Sequence, residues 1–150
     1  MATASHLFSR TPFSTADRAR IVAAIRQAEH ATSGEIRVHV QRRCGADPCR
    51  DAARVFDRLG MTRTAARNGV LVFLAWRDRR FAVIGDTGIH QRVGAAFWRA
   101  TADAMTPCFA AGDLLAGVVA GVLAAGEALR QHFPHQRSDV NELADEISKS

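Results

Sequence analysis

Seven consecutive apolar residues, 70–76, lie in the middle of the chain between Asn68-Gly69 and a charged cluster at 77–80. An apolar run of this length, bounded by turn residues, predicts a strand that is buried on both faces. Only four polar residues separate it from a second apolar run at 81–84, so we expect the two runs to pair as a β-hairpin. A sheet that is buried on both faces requires helices on both sides.

The rest of the chain supplies those helices and one further strand. Ser14 and Asp17 have the spacing of a capping box, which predicts that a helix begins there and continues to about residue 31. Residues 35–41 alternate between apolar and polar, which is typical of a strand with one wetter face. Asp47 and Pro48 predict the N-cap and first position of a second helix.

Two more helices are predicted after residue 89. In the first, we expect an inward face formed by Val93, Phe97, Ala100 and Ala104, and a kink or break at Thr106-Pro107. The second covers 114–132 and carries three glycines that permit close approach to a neighbour. Its most apolar stretch has thirteen residues, fewer than the roughly 20 that a membrane-spanning helix needs. We therefore expect a core helix.

These elements predict an α/β fold, namely a three-layer α/β/α sandwich with a small mixed β-sheet flanked by helices on both faces. A chain of 150 residues fits one domain. We expect the folded domain to span 14–133, between a flexible N-terminal arm at 1–13 and a polar, acidic C-terminal tail at 134–150.

The net charge of +5 does not by itself predict nucleic-acid binding. Lys149 is the only lysine, and the arginines are scattered along the chain, which is typical of a general composition bias. No recognition motif or aromatic platform accompanies the charge, so we expect no nucleic-acid partner. No phosphate-binding loop or dinucleotide fingerprint is present either, and we expect no organic cofactor.

Cysteine usage and the N-terminal sequence bear on location. Three cysteines, Cys44, Cys49 and Cys108, cannot all pair with one another. The first eighteen residues contain no apolar run long enough for a signal peptide. The expected location is the cytoplasm.

Four polar residues next to the predicted strands and helices form a candidate metal site. Asn68 begins one strand of the hairpin and Asp86 follows the other, so the antiparallel pairing places both at one end of the sheet. Asp113 precedes the last helix, and Glu35 joins the group only if its strand runs parallel to 70–76. Oxygen ligands from loops suit Ca²⁺ or Mg²⁺. Each residue is also explained by ordinary turn or cap chemistry.

A second candidate is the loop that begins at Cys44. Cys44 and Arg50 have the Cys-x5-Arg spacing of cysteine phosphatases, in which a thiolate attacks phosphate and the arginine holds it. Pro48 removes one amide from a phosphate cradle, and Asp51 would repel phosphate. A zinc site formed by Cys44, Cys49 and His39 lacks a fourth ligand.

Five of these segments resemble the TPM domain family over about residues 17–133. The resemblance rests on Ser33-Gly34-Glu35-Ile36, Arg67-Asn68-Gly69-Val70-Leu71, Ile84-Gly85-Asp86, Phe97-Trp98 and Phe109-Ala110-Ala111-Gly112-Asp113. It implies an α/β/α fold, binding of a divalent metal, often calcium, in loops at one sheet end, and phosphatase activity in some relatives. Other relatives act as accessory factors around membrane complexes, and many carry a signal peptide and a membrane anchor.

Two functions follow as hypotheses. The first is a divalent-metal-responsive interaction or accessory module with a protein partner, either soluble or membrane-associated. The alternative is a metal-assisted phosphatase that uses the same loops, which would need an open metal coordination position and a nearby base. An interaction module should instead expose an apolar patch, which we expect at Trp98 or the glycine faces of the last helix. The sequence does not select an oligomeric state.

Overall fold

The computed structural model describes residues 11–135 and 147–149. Along the chain, the helices are α1 (Thr15–Glu29), α2 (Pro48–Arg58), α3 (Thr87–Val93), α4 (Ala95–Ala110) and α5 (Leu114–His132). The strands are β1 (Glu35–Gln41), β2 (Gly69–Ala75), β3 (Arg80–Gly85) and β4 (Ile147–Lys149), and a short 3-10 turn covers Met61–Arg63. Residues 1–10 of the predicted arm and most of the predicted tail lie outside the described residues.

The strands form one mixed sheet in the order β3-β2-β1-β4. β2 pairs with β3 as the predicted antiparallel hairpin, and β1 runs parallel to both β2 and β4. Every residue of β2 is buried, as expected for the central strand of a sheet that is covered on both faces. The predicted mixed sheet is therefore confirmed.

Alternate residues of the strands pack against different helices. Val38 and Val72 belong to a core shared with α1 and α5, whereas Leu71 and Phe73 belong to a second core under α2. Two apolar layers separated by the sheet give the predicted three-layer α/β/α sandwich. Phe13, at the boundary of the predicted arm, is buried in the first core.

The helix ends follow the local sequence. Ser14 and Asp17 exchange both hydrogen bonds of a capping box at the start of α1. The Asp47 carboxylate accepts hydrogen bonds from the amides of Cys49 and Arg50, and Pro48 occupies the first turn of α2. These contacts lie within a few residues of chain, which is why the sequence alone predicts them.

The predicted inward face is right at Val93, which packs against the first core, and wrong by one position in the second half of α4. Ala100 and Ala104 are exposed, and the buried residues are Thr101 and Met105. The reason is Gly94, whose φ of 77° ends α3 and starts α4 afresh, so one continuous helical phase does not run from α3 into α4. The small alanines fit a solvent face as readily as a core.

The break predicted at Thr106-Pro107 does not occur. Pro107 lies inside α4, which continues to Ala110. Pro107 is close to the C-terminus of the helix, so few backbone hydrogen bonds follow it. The Thr106 hydroxyl donates a hydrogen bond of 2.9 Å to the Ala102 carbonyl within the same turn.

The polar face of β1 is less wet than its alternating pattern indicates. Glu35 and His39 are both buried. The His39 ring stacks on Phe73 at 6.0 Å between centroids, and its Nε2 lies 2.9 Å from Gln41 Oε1. Burial lowers the pKa of His39 below 6.5, the hydrogen bond to Gln41 partly opposes this shift, and Arg58 and Arg37 add to it. His39 is therefore a neutral residue of the second core near pH 7.

We expect acidification to destabilise the protein through His39. Below about pH 6.5 an unfolded histidine binds a proton that folded His39 does not, so the unfolded state takes up more protons. The free energy of unfolding then falls as the pH drops, by up to about 1.4 kcal/mol per pH unit for one group. Urea unfolding between pH 7.5 and 5.5 should show a shallower pH slope for His39→Gln than for a His30→Gln control at an exposed site. Equal slopes would contradict this assignment.

Helix α5 is apolar enough to cross a membrane by length and composition alone, with a mean hydropathy of 1.3. Half of that span is buried inside the protein. Its glycines lie against neighbouring helices, Gly117 against Phe109 and Gly126 against Ala28. Packing within the fold therefore accounts for the buried half of this apolar helix.

Candidate functional site at the acidic end of the sheet

Three of the four predicted site residues lie at one end of the sheet. Glu35 is paired with Gly69 in the parallel ladder, and Val70 with Gly85 in the antiparallel one, so the residues flanking these pairs share an edge. The Asp86 amide donates to the Gly69 carbonyl at 2.9 Å. All three side chains, of Glu35, Asn68 and Asp86, are buried. We call this group the acidic end.

The carboxylate of Asp86 is held by an arginine. Arg67 Nε lies 2.7 Å from Oδ2 of Asp86, and Arg67 Nη2 lies 2.8 Å from Oδ1, which is a bidentate ion pair. Oδ1 also accepts the amide of Thr87 at 2.7 Å and so caps α3. The hydrogen bond to Asp86 raises the pKa of Arg67. Both carboxylate oxygens are therefore engaged by groups of the protein itself.

The backbone around Arg67 is locked to the turn that carries Asp86. Arg67 has a left-handed φ of 52°, and its carbonyl accepts the amides of Gly88 at 2.8 Å and Ile89 at 3.3 Å. A Cβ on Gly88 would lie only 2.6 Å from that carbonyl oxygen. Gly88 is required because the two backbone segments touch. Together these contacts fix the guanidinium of Arg67 over Asp86.

Asn68 joins β1 to β2 at the acidic end. Its carbonyl accepts the Glu35 amide at 3.4 Å, and its Nδ2 donates to the Ser33 hydroxyl at 3.3 Å. Its Oδ1 is buried and has no hydrogen-bond partner within the described part of the chain. The Asn68 side chain is thus a buried acceptor at the same end of the sheet as two buried carboxylates.

Asp113 does not reach the acidic end. It caps α5 by accepting the Ala116 amide at 3.0 Å, and Leu114 lies beside Leu74 and Trp76 at the other end of β2. The far end of α5 meets the start of β1, where the Ser33 amide donates to the Phe133 carbonyl. A helix of 19 residues is roughly 28 Å long. Asp113 is therefore at the opposite end of the sheet from Glu35, and the four residues do not converge.

The acidic end does not fit a resident divalent cation. Calcium takes six to eight oxygen ligands, whereas the Asp86 oxygens are already bonded to Arg67 and Thr87. Within residues 11–135 and 147–149, no three His, Cys, Asp or Glu side chains cluster closely enough to hold a metal ion. The guanidinium of Arg67 supplies the positive charge that a cation would bring to Asp86.

The loop from Cys44 to Arg50 is not a phosphate cradle, because aspartates take its amides. Asp51 accepts the Gly45 amide at 2.7 Å, Asp78 accepts the Cys44 amide at 2.9 Å, and Asp47 accepts those of Cys49 and Arg50. Phosphate would meet three carboxylates there.

The thiols of this loop are poor nucleophiles. Burial raises the pKa of Cys44, with a further increase from Asp51, and Arg80 only partly offsets it. Burial and Asp47 likewise raise the pKa of Cys49. A catalytic cysteine needs the opposite shift, because the thiolate is the reactive form. The cysteine-phosphatase hypothesis is therefore not supported by the geometry.

The apolar surface is not where the sequence predicts it. Trp98 packs over Gly85, and its indole N–H lies 3.0 Å from His90 Nδ1. The glycines of α5 are covered by neighbouring side chains. A concave apolar surface lies instead in a cleft of about 590 Å³ between the β2–β3 turn and the α4–α5 turn. We call it the hairpin cleft, and its lining includes Leu74, Trp76, Arg79, Phe81, Thr106, Phe109 and Leu114.

Comparison with protein families gives one match, to the TPM domain, over residues 9–128. This match covers most of the chain. The chain belongs to the TPM domain family. No curated protein matches it significantly.

Solved structures agree with this family assignment. The TPM domain described here is 39% identical to the BA42 protein from the psychrophilic bacterium Bizionia argentinensis, whose solution structure it matches with a TM-score of 0.85. The match covers 93% of this chain and 97% of that one.

Two more distant structures share the fold alone. The N-terminal domain of the cg2496 protein from Corynebacterium glutamicum is 19% identical, with a TM-score of 0.64, and the match covers 87% of this chain and 82% of that one. An N-terminal domain from P. gingivalis is 22% identical, with a TM-score of 0.63 and 83% of each chain covered.

Sequence reasoning missed Arg67 as the partner of Asp86. The antiparallel register that places Asn68 beside Asp86 also places the preceding residue within reach of the carboxylate. The sequence therefore indicates that Arg67 lies near Asp86, and the side-chain geometry shows that the two form an ion pair. The hairpin cleft had no such signal, because its walls come from segments about 30 residues apart in the chain.

Proposed function

We propose that this TPM-domain protein is a non-catalytic interaction module in the cytoplasm, whose acidic end is held by Arg67 rather than by a resident cation. The observation that carries the proposal is the bidentate Arg67–Asp86 ion pair. A metal-assisted hydrolase needs an open coordination position at its ligands. Asp86 offers none while Arg67 is bound to it.

We propose in addition that this interaction module responds to Ca²⁺ or Mg²⁺. This response requires the cation to compete with Arg67 for Asp86, with Glu35 and Asn68 as further oxygen donors at the same end of the sheet. The buried Asn68 Oδ1, which lacks a hydrogen-bond partner among the described residues, favours such a response. We expect no high-affinity cation binding in the protein as it stands, because the ion pair must be broken first.

A phosphatase assay tests the non-catalytic part. We expect no hydrolysis of p-nitrophenyl phosphate above the buffer rate, with Ca²⁺, Mg²⁺ or neither, between pH 5 and 8. A Cys44→Ser, Cys49→Ser double variant and an Asp86→Asn variant should behave like the parent. Turnover that survives the double cysteine change and is lost in Asp86→Asn would overturn the proposal in favour of a metal-assisted phosphatase.

A further inference from the structure

We propose that the hairpin cleft binds a segment of a partner protein that presents an aromatic or aliphatic side chain next to a carboxylate. The inference rests on the proposed function, since it names the kind of partner that the interaction module takes. The cleft lies at the end of the sheet opposite Asp86, so its binding chemistry is separate from that of the acidic end.

The walls of the cleft are apolar and only partly covered. Trp76, Phe81, Phe109 and Leu114 are each half-buried, and Leu74 lies beneath them with 2% exposure. The rings of Phe81 and Phe109 contact each other at 4.7 Å between centroids, which fixes one side of the cleft. A volume of about 590 Å³ is within the range of ligand-binding clefts.

The mouth of the cleft is positively charged. Arg79 is the one charged residue in its described lining, and it is exposed and makes no ion pair with any residue in 11–135. Arg77, also in the turn, lies 5.4 Å above the Trp76 ring. Arg77 is not part of the described lining, so Arg79 is the cation that an incoming carboxylate would meet.

The acidic residue of the same turn is directed elsewhere. Asp78 accepts the Cys44 amide at 2.9 Å and lies 3.3 Å from Arg43, so its charge is used on the other side of the hairpin. Arg80 likewise donates to the Gly45 carbonyl at 3.0 Å. Because Asp78 and Arg80 are held by these contacts, Arg79 is the charged residue of the turn that faces the cleft.

Charge distinguishes the hairpin cleft from a second, smaller one. A cleft of about 370 Å³ beside α5 contains both Arg92 and Glu127, so its charge selects no anion. The hairpin cleft is lined by one guanidinium and several apolar side chains, which complement a ligand with an apolar group and a negative charge. Its half-buried apolar walls and its buried floor residue, Leu74, complement one or two apolar side chains of a protein segment.

Nuclear magnetic resonance of the ¹⁵N-labelled full chain tests the proposal with a matched pair of probes. N-acetylphenylalanine and its amide have the same apolar body and differ only by the carboxylate charge. We expect N-acetylphenylalanine to shift the Trp76 indole signal and the amides of 106–114 saturably at millimolar concentration. The amide should bind about threefold more weakly or worse. Arg79→Gln should remove the difference, and Arg99→Gln, an exposed arginine outside the cleft, should keep it.

Each other outcome overturns the proposal. If neither probe causes saturable shifts at 20 mM in the folded protein, the cleft is not a binding site. If the two probes bind equally, the partner does not need a carboxylate. Decanoate that binds more than a hundredfold more tightly than N-acetylphenylalanine would assign the cleft to an amphiphilic small molecule. Phosphate-ester turnover would overturn the proposed function whatever the probes do, so the two failures are distinguishable.

Discussion

Replacing Arg67 by glutamine should raise the affinity of the protein for calcium by about tenfold or more. The substitution removes the bidentate guanidinium from Asp86, while the Glu35 carboxylate and the Asn68 Oδ1 remain at the same end of the sheet. Two carboxylates at one sheet end without a compensating cation attract a divalent ion more strongly than a neutralised pair does. Isothermal titration of chelator-treated protein with Ca²⁺ and then Mg²⁺ measures the change.

Two controls make the calcium titration specific. Arg63→Gln removes a nearby exposed arginine and the same charge, and it should titrate like the parent protein. A double variant, Arg67→Gln with Asp86→Asn, should lose the gained affinity while its asparagine can still cap α3. Identical isotherms for the parent and Arg67→Gln would show that Arg67 does not compete with a cation at the acidic end.

Replacing Gly88 by alanine should destabilise the protein by about 3 kcal/mol. A Cβ at this position would lie 2.1 Å from the Ala66 carbonyl oxygen and 2.6 Å from that of Arg67. Backbone atoms cannot rotate away as a flexible side chain can, so the loop or α3 must shift and the hydrogen bond from the Gly88 amide to Arg67 weakens. Urea unfolding monitored by circular dichroism measures the loss.

Whether Gly88→Ala lowers or raises the free energy of unfolding tests the close contact between Gly88 and the carbonyls of Ala66 and Arg67. Helix propensity alone predicts that alanine stabilises the first turn of α3 by up to about 1 kcal/mol. Gly45→Ala is the matched control, because its Cβ would meet only the Asp51 carboxylate at 3.6 Å and should change stability by less than about 0.5 kcal/mol. A Gly88→Ala variant as stable as the parent would show that the two segments are not in contact.

Both changes act on the same contact, the one between residues 66–68 and the start of α3. Arg67 contributes the ion pair to Asp86, and Gly88 allows the two backbone segments to touch. If the proposed competition with calcium is correct, variants that loosen this contact through Gly88 should also titrate more strongly with calcium than Gly45→Ala. The acidic end is thus an electrostatic feature whose strength depends on the packing of one loop.

The sequence alone determined the layers, strands β1 to β3, the central hairpin and the helix caps, whereas β4 lies within the segment predicted to be a polar tail. The alternation at 35–41 follows the two-residue period of a strand, and the unbroken apolar run at 70–76 has the length of a strand buried on both faces. The caps at Ser14 and Asp47 depend on residues two or three positions away. Hairpin pairing also placed Asn68 beside Asp86, since an antiparallel register is fixed once a short turn is fixed. Each of these inferences uses contacts that are local in the chain.

Tertiary structure decided the rest. The parallel direction of β1 brought Glu35 to the acidic end, and the full length of α5 kept Asp113 at the other end of the sheet. Side-chain geometry paired Arg67 with Asp86, and the meeting of two distant turns formed the hairpin cleft. Such arrangements depend on how whole elements pack, because free energy is gained only when segments far apart in sequence bury their faces together. Local patterns specify the elements, and their packing specifies the sites.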